Sequence, residues 1–167
     1  MENASKALIM AGGILIAILV IGALLLMFNN IGDYEKNKSS EKKSSQLAKF
    51  NEDFERYVNE DTIYGTDLIS LANKIIDYNK KVENGGSSNY IDYTTEMQLF
   101  IDKLEDFSSK YGKETFGVAK DWTITNDMSQ YDVKNNSSFK IATFKKSKEP
   151  KYENGQIKIL YFEFYKK

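Results

Sequence analysis

The chain contains neither cysteine nor histidine among its 167 residues. It therefore forms no disulfide, offers no thiolate or imidazole to a metal, and has no histidine base to activate a serine or cysteine nucleophile. Much of the usual enzymatic repertoire is closed, and no cofactor or metal is expected. The missing cysteine does not fix a compartment, because reducing and exterior environments both host such chains. Proline occurs once, at Pro150, and arginine once, at Arg56, so nearly all of the 23 basic residues are lysines. Against 24 acids they leave a net charge of -1. That balance excludes nucleic acid as an expected partner, since counterion release needs a concentrated excess of cations on one surface.

Charge is also missing from one long stretch, and there the chain is most informative. Residues 7–28 (ALIMAGGILIAILVIGALLLMF) are apolar throughout. At about 1.5 Å per residue such a helix spans roughly 33 Å, matching a hydrocarbon core of about 30 Å. A secretory signal has a shorter apolar region, about 7 to 15 residues, followed by a small-x-small cleavage site. Here Leu24, Leu25, Leu26, Met27 and Phe28 occupy that place. The expectation is a retained single-pass anchor, with membrane lipid as its surroundings.

Small residues are distributed along this run. Ala4, Ala7, Ala11 and Gly22 fall within about 60° of one another at 100° per residue, and Gly13 and Ala17 make a small-xxx-small pair on another face. These six are the candidate helix-packing residues, through which copies or other protein partners would associate in lipid. Chance placement of Gly and Ala gives the same pattern. Orientation is contested: Lys36, Lys38, Lys42 and Lys43 follow the run while Lys6 and the terminal amine precede it, which favours a cytoplasmic C-terminal part. Asp33, Glu35 and Glu41 interleave with those lysines, and long domains translocate regardless of flanking charge. The expected location of the soluble part is extracytoplasmic.

Residues 35–46 (EKNKSSEKKSSQ) carry no hydrophobic side chain and read as a solvated stalk. Apolar periodicity resumes at Leu47, Phe50, Phe54 and Tyr57. Thr66 is a candidate N-cap for a helix with the stripe Leu68, Leu71, Ile75 and Tyr78, stopping near Asn79 ahead of the 85–88 loop. Met97, Phe100, Ile101, Leu104 and Phe107 predict a third helix from their spacing. Beyond Lys113 the pattern turns strand-like: 138–145 (SFKIATFK) and 157–166 (IKILYFEFYK), with Pro150 and the turn pair Asn154-Gly155 between them. Leu160, Phe162 and Phe164 share the face expected to meet the helices. Weaker strand candidates are 115–118, 122–125 and 89–93, while 120–136 shows no usable period. The expected organisation is an N-terminal head (1–6), a transmembrane helix (7–28), a polar stalk (29–46) and a soluble α+β domain (47–167) of two to three helices on an antiparallel sheet.

That order resembles type IV pilins and pseudopilins, whose N-terminal helix is both anchor and packing spine. ENASKALIMAGGILIAILVI (2–21), FNEDFERYVNEDTIYGTDLISLANKIIDYN (50–79) and YENGQIKILYF (152–162) also look like a group of bacterial single-pass proteins from Clostridium-like organisms. Neither resemblance carries a catalytic motif. The pilin pattern has a glycine before the cleavage site and a glutamate at the fifth mature position, and no glycine precedes Ala7. By that resemblance Glu2 would take the glutamate's part, neutralising a neighbouring subunit's terminal amine; otherwise it is a solvent-facing head residue.

Carboxylates at Glu52, Asp53 and Glu55, or Glu105 and Asp106, alternate with core positions on helices and should face water rather than a cleft. Gly85 and Gly86 lack the lysine and preceding strand of a phosphate loop. Tyr90, Tyr93, Tyr111, Tyr131 and Tyr152 lie in or near loops, where an amphipathic ring can anchor a partner or a sugar, or cap the margin of the core. The expectation is a non-catalytic structural or interaction protein; the rival reading is a monomeric bitopic module whose head recruits a protein or ligand.

Overall fold

The computed structural model describes residues 2–86, 88 and 90–166. The chain divides into two units, residues 1–42 and 43–167. Helix α1 (Glu2–Val58) supplies the first and enters the second. The first unit is helical throughout its described length, including the polar stretch from residue 35 onward. Good helix formers (Glu, Lys, Gln) explain why a segment with no face to bury still winds up. One window of α1 is apolar and long enough to cross a membrane, and none of it is buried.

The second unit is an α+β head. After α1 come β1 (Ile63–Tyr64), α2 (Gly65–Glu83), β2 (Gln98–Asp102), α3 (Leu104–Tyr111), β3 (Asp121–Ile124), α4 (Ser137–Ile141), β4 (Thr143–Lys146), β5 (Lys151–Glu153) and β6 (Gln156–Tyr165). The sheet order is β1-β4-β6-β2-β3, with β5 paired to β6. All pairs are antiparallel except β2 with β6, where Leu99 lies opposite Leu160 and Ile101 opposite Phe162. The sheet is thus antiparallel, as expected, in every pairing but this one. The β5–β6 turn behaves as anticipated: Asn154 and Gly155 both have positive φ, 51° and 77°, the geometry that a two-residue hairpin loop needs.

Alternation on β6 places Leu160, Phe162 and Phe164 in the core and leaves Ile159, Tyr161, Glu163 and Tyr165 half-buried on the other face. The helical stripe Leu68, Leu71, Ile75 and Tyr78 is buried as expected, joined by Ala72, Ile76 and Asn79. Phe107 of α3 sits among rings, edge-on to Phe116 at 5.1 Å and Phe164 at 5.5 Å. Each such side chain withdrawn from water contributes roughly 1.5–3 kcal/mol.

Several expectations are overturned. The third helix assigned from Met97 to Phe107 is instead strand β2 followed by α3. Met97, Leu99 and Ile101 are all fully buried, so period two prevails over 3.6, and Phe100 turns to the opposite face to stack on Tyr161 at 5.3 Å. Lys103, at φ 61°, makes the corner between strand and helix. The strand expected over 138–145 begins as α4, because the Asn136 side chain caps it by accepting from the Phe139 amide at 2.8 Å; only Thr143–Lys146 is extended. Helix α2 is capped by Tyr64 rather than Thr66, with Asp67 accepting the Tyr64 amide at 3.0 Å, and it runs on past Asn79 to Glu83. The strand candidate 122–125 is β3, whereas 115–118 is a turn and the described part of 89–93 is not a strand. Ser87 and Asn89 lie outside the described residues.

Candidate functional site

In the first unit, Ala4, Ala7, Ala11, Gly13, Ala17 and Gly22 are all exposed along α1. A methyl group built at Gly13 or Gly22 would meet nothing within 4 Å, so that close-approach surface is open to an external partner. Its neighbours are large and equally bare: Ile16 is 64% and Leu26 66% exposed. Glu2 accepts a hydrogen bond from Lys6 one turn on, at 3.0 Å, so its carboxylate has an ion-pair partner inside its own helix.

In the head, three clusters stand out. The first lies under α2 and was not legible as a site. Lys158 on β6 is 2% exposed. Its ammonium donates to the Tyr78 hydroxyl at 2.7 Å, the Thr95 carbonyl at 2.9 Å and the Asp92 carbonyl at 3.0 Å, and it sits 5.0 Å from the Tyr78 ring centre. Three donors thus meet three acceptors without any carboxylate in direct contact. Burial pulls the Lys158 pKa below the ordinary lysine value, against the pull of Asp92 and Glu153. Burial likewise pushes Tyr78 up to about 12. The Tyr78 hydroxyl donates to the Asp92 carbonyl and accepts from Gln156 at 3.0 Å, while Gln156 accepts the Asp92 amide at 2.8 Å. A lysine of lowered pKa is a nucleophile candidate where it faces a cleft. Here all its hydrogens are committed to groups that fix the 92–95 segment against β6, and the cluster is a fastening.

The second cluster is a shallow cleft of about 270 Å³ where Phe50, Tyr78 and Tyr93 meet Asp53, Lys74 and Lys81. Tyr93 stacks on Tyr78 at 5.2 Å and Phe50 tilts onto Tyr78 at 5.6 Å. The rim is already paired, Lys74 lying 3.6 Å from Asp53. The third is a groove of about 680 Å³ between the exposed flank of α2 and residues 126–135. Asn73, Asp77 and Lys80 line it from α2, at the spacing of one helix face, and Asn126, Asp132 and Asn135 face them from the loop.

The carboxylates weighed from the sequence go where the pattern placed them: Glu52, Asp53, Glu105 and Asp106 are exposed. Glu55 is half-buried and accepts from the Tyr152 hydroxyl at 2.6 Å. Among the described residues no group of three acidic side chains is placed to hold a metal ion. Of the loop tyrosines, Tyr93, Tyr111 and Tyr131 close the edge of the core, and Tyr152 is 46% exposed. Compared with protein families, with curated proteins and with solved structures, the chain finds no match.

Proposed function

We propose that this is a single-pass membrane protein without catalytic activity, which displays its α+β head outside the cytoplasm as a subunit or partner of an envelope assembly with a pilin-like layout. The observation that carries the reading is the apolar window of α1, long enough to span a bilayer and buried by nothing in its own chain. In lipid, helices associate where small residues let backbones approach, and Ala4, Ala7, Ala11 and Gly22 offer such a stripe. The head supports display: Glu52, Asp53, Glu105 and Asp106 face solvent, and Lys158, the one buried lysine among the described residues, is spent on fastening a loop.

The absence of native cysteine makes the test direct. Ala11→Cys and Gly22→Cys, oxidised in native membranes, should give dimers or ladders. Monomer alone at native expression refutes assembly through α1. Val118, 86% exposed in the head, reports sidedness: Val118→Cys should react with a membrane-impermeant maleimide in intact cells, and protection until lysis refutes external display. The internal Glu2–Lys6 pair favours a second reading, a monomeric tethered module, since Glu2 then needs no neighbour's amine. Under that reading the same cross-linking gives monomer while the head alone keeps its partner.

A further inference from the structure

We propose that the groove between α2 and residues 126–135 is a binding site for a neutral oligosaccharide, an assignment independent of how α1 is used. At about 680 Å³ it falls within the 300–1,000 Å³ range of small-molecule sites. Its chemistry is what selects the ligand. Three aspartates and two lysines line it, both signs on each wall, so it lacks the concentrated positive charge that phosphorylated ligands demand, and Lys80 is drawn toward Asp77 at 3.8 Å. Metal-bridged ligands are disfavoured because no three acidic groups converge among the described residues.

Peptides dock on unpaired strand edges, apolar grooves, aromatic proline-binding slots or arginine clusters. None of these forms the walls, which are one helix flank and one loop. What the walls do present is an array of planar amides and carboxylates with unused capacity. Asn135 donates to one oxygen of Asp132 at 2.9 Å, leaving the amide oxygen of Asn135 and the second carboxylate oxygen free to accept. Asn126 donates to Glu96 at 3.0 Å, and its amide oxygen is likewise free. Among the described residues the Asn73 amide makes no hydrogen bond, which leaves it a donor and an acceptor together. Groups that accept and donate in one plane match the vicinal hydroxyls of a sugar, each of which does both.

The base supplies the second half of the recognition. Ile76 and Met128 are buried there, and Tyr131 presents a half-buried ring held edge-on by Phe116 at 4.9 Å and Trp122 at 5.2 Å. A locked ring beside apolar side chains suits the C–H face of a pyranose, at little entropic cost on binding.

The test uses full-length protein in zwitterionic, sugar-free micelles, titrated with triacetylchitotriose, cellotetraose and maltotetraose. Trp122, the only tryptophan, touches Tyr131 and serves as the fluorescent reporter. At least one of the three should bind saturably, with Kd from about 10 μM to about 1 mM. Asn73→Ala and Asp132→Ala change exposed side chains and should each weaken it tenfold or more with an unchanged urea midpoint. If either shifts that midpoint, Asn135→Ala takes its place. No saturable signal from any of the three sugars at about 10 mM, or wild-type binding by the groove variants, overturns the proposal.

Discussion

Asn79 offers the sharpest test of how the head is held together. It is fully buried near the C-terminal end of α2, on the core face where an apolar residue would be the usual choice. Its amide nitrogen donates to the carbonyls of Met97 and Thr125, both at 2.9 Å, and its amide oxygen accepts the Met97 amide at 2.7 Å. The side chain therefore stands in for a neighbouring strand at the start of β2 and clips the end of β3 to it. Asn79→Ala removes all three bonds. Thr125 is half-buried and can turn to water, but both Met97 groups are sealed in. An orphaned buried polar group costs about 1–3 kcal/mol, so two of them predict a loss of about 2–6 kcal/mol. A domain of this size owes its fold to a net of only about 5–15 kcal/mol.

The assay is urea unfolding of the full chain in detergent, followed by Trp122 fluorescence. Trp122 is 3% exposed on β3 and reports the head without contribution from α1. With a slope of about 1–3 kcal/mol/M, the midpoint should fall by at least about 0.7 M. Hydrogen exchange should show the Met97 amide losing protection first. A midpoint within about 0.3 M of the parent, with Met97 still protected, would show that this clip is dispensable.

Three further outcomes follow from other contacts. Gly65→Ala places a methyl 1.8 Å from the Phe139 carbonyl oxygen and threatens the Gly65 amide's bond to Ala142 at 2.9 Å; a loss of about 3 kcal/mol is expected in the same urea assay. Glu163 accepts from Lys103 at 2.9 Å and Lys145 at 3.3 Å; burial works to raise its pKa, but the two lysines prevail and hold it below the ordinary 4.5. The folded state thus binds that proton more weakly than the unfolded one, so the contribution is full above about pH 4.5 and fades as pH falls through the lowered value. Midpoints measured from pH 6 to 3 should drop more steeply for the parent than for Glu163→Gln. At the alkaline end, burial pushes the Tyr78 and Tyr152 phenols up to about 12. The fold holds these protons more tightly than the open chain, so stability is retained below about pH 10 and lost between about 10 and 12. Tyr78→Phe should flatten that decline, and two tyrosines should ionise last by ultraviolet absorbance.

The parts of the fold written in the sequence are those governed by a single period. Residues 7–28 and the α2 stripe have no competing pattern, and β6 alternates over ten residues with a turn pair at its start. Residues 97–107 are ambiguous because Met97 and Ile101 satisfy both periods; the register of β2 against Leu160 and Phe162 decides the matter, and that information is 61 residues away in the chain. Asn79 read as a helix terminator because its polarity is visible locally while its partners at Met97 and Thr125 are not. Of the groove only Tyr131, one of the loop tyrosines able to anchor a partner or a sugar, gave a local signal; the rest did not, since half of it comes from the aperiodic stretch 120–136 and half from the polar flank of α2. Lys158 carried one weak hint: a lysine at the position of β6 that alternation assigns to the core face.

Polar side chains do in this head what disulfides or metals do in other small domains. Asn51 donates to the Gly155 carbonyl at 2.7 Å and accepts the Ile157 amide at 3.0 Å, Asn79 clips β2 to β3, and Lys158 with Tyr78 and Gln156 fastens the 92–95 segment. Such clips act over long sequence separations and leave few buried groups unpaired, which is how a chain without cysteine or histidine secures loops around a modest core. The first unit obeys the opposite logic. Its apolar side chains are bare and satisfy nothing within the chain, and at about 25 cal/mol per Å² of apolar surface an isolated helix of that kind in water is strongly driven to cover itself. The head's core lies among its own residues, whereas the apolar window of α1 is buried by nothing in the chain; under the proposed anchoring, removing residues 7–28 should release the head from membranes without lowering its urea midpoint. A head that loses its fold with that deletion would show that the two units are energetically one.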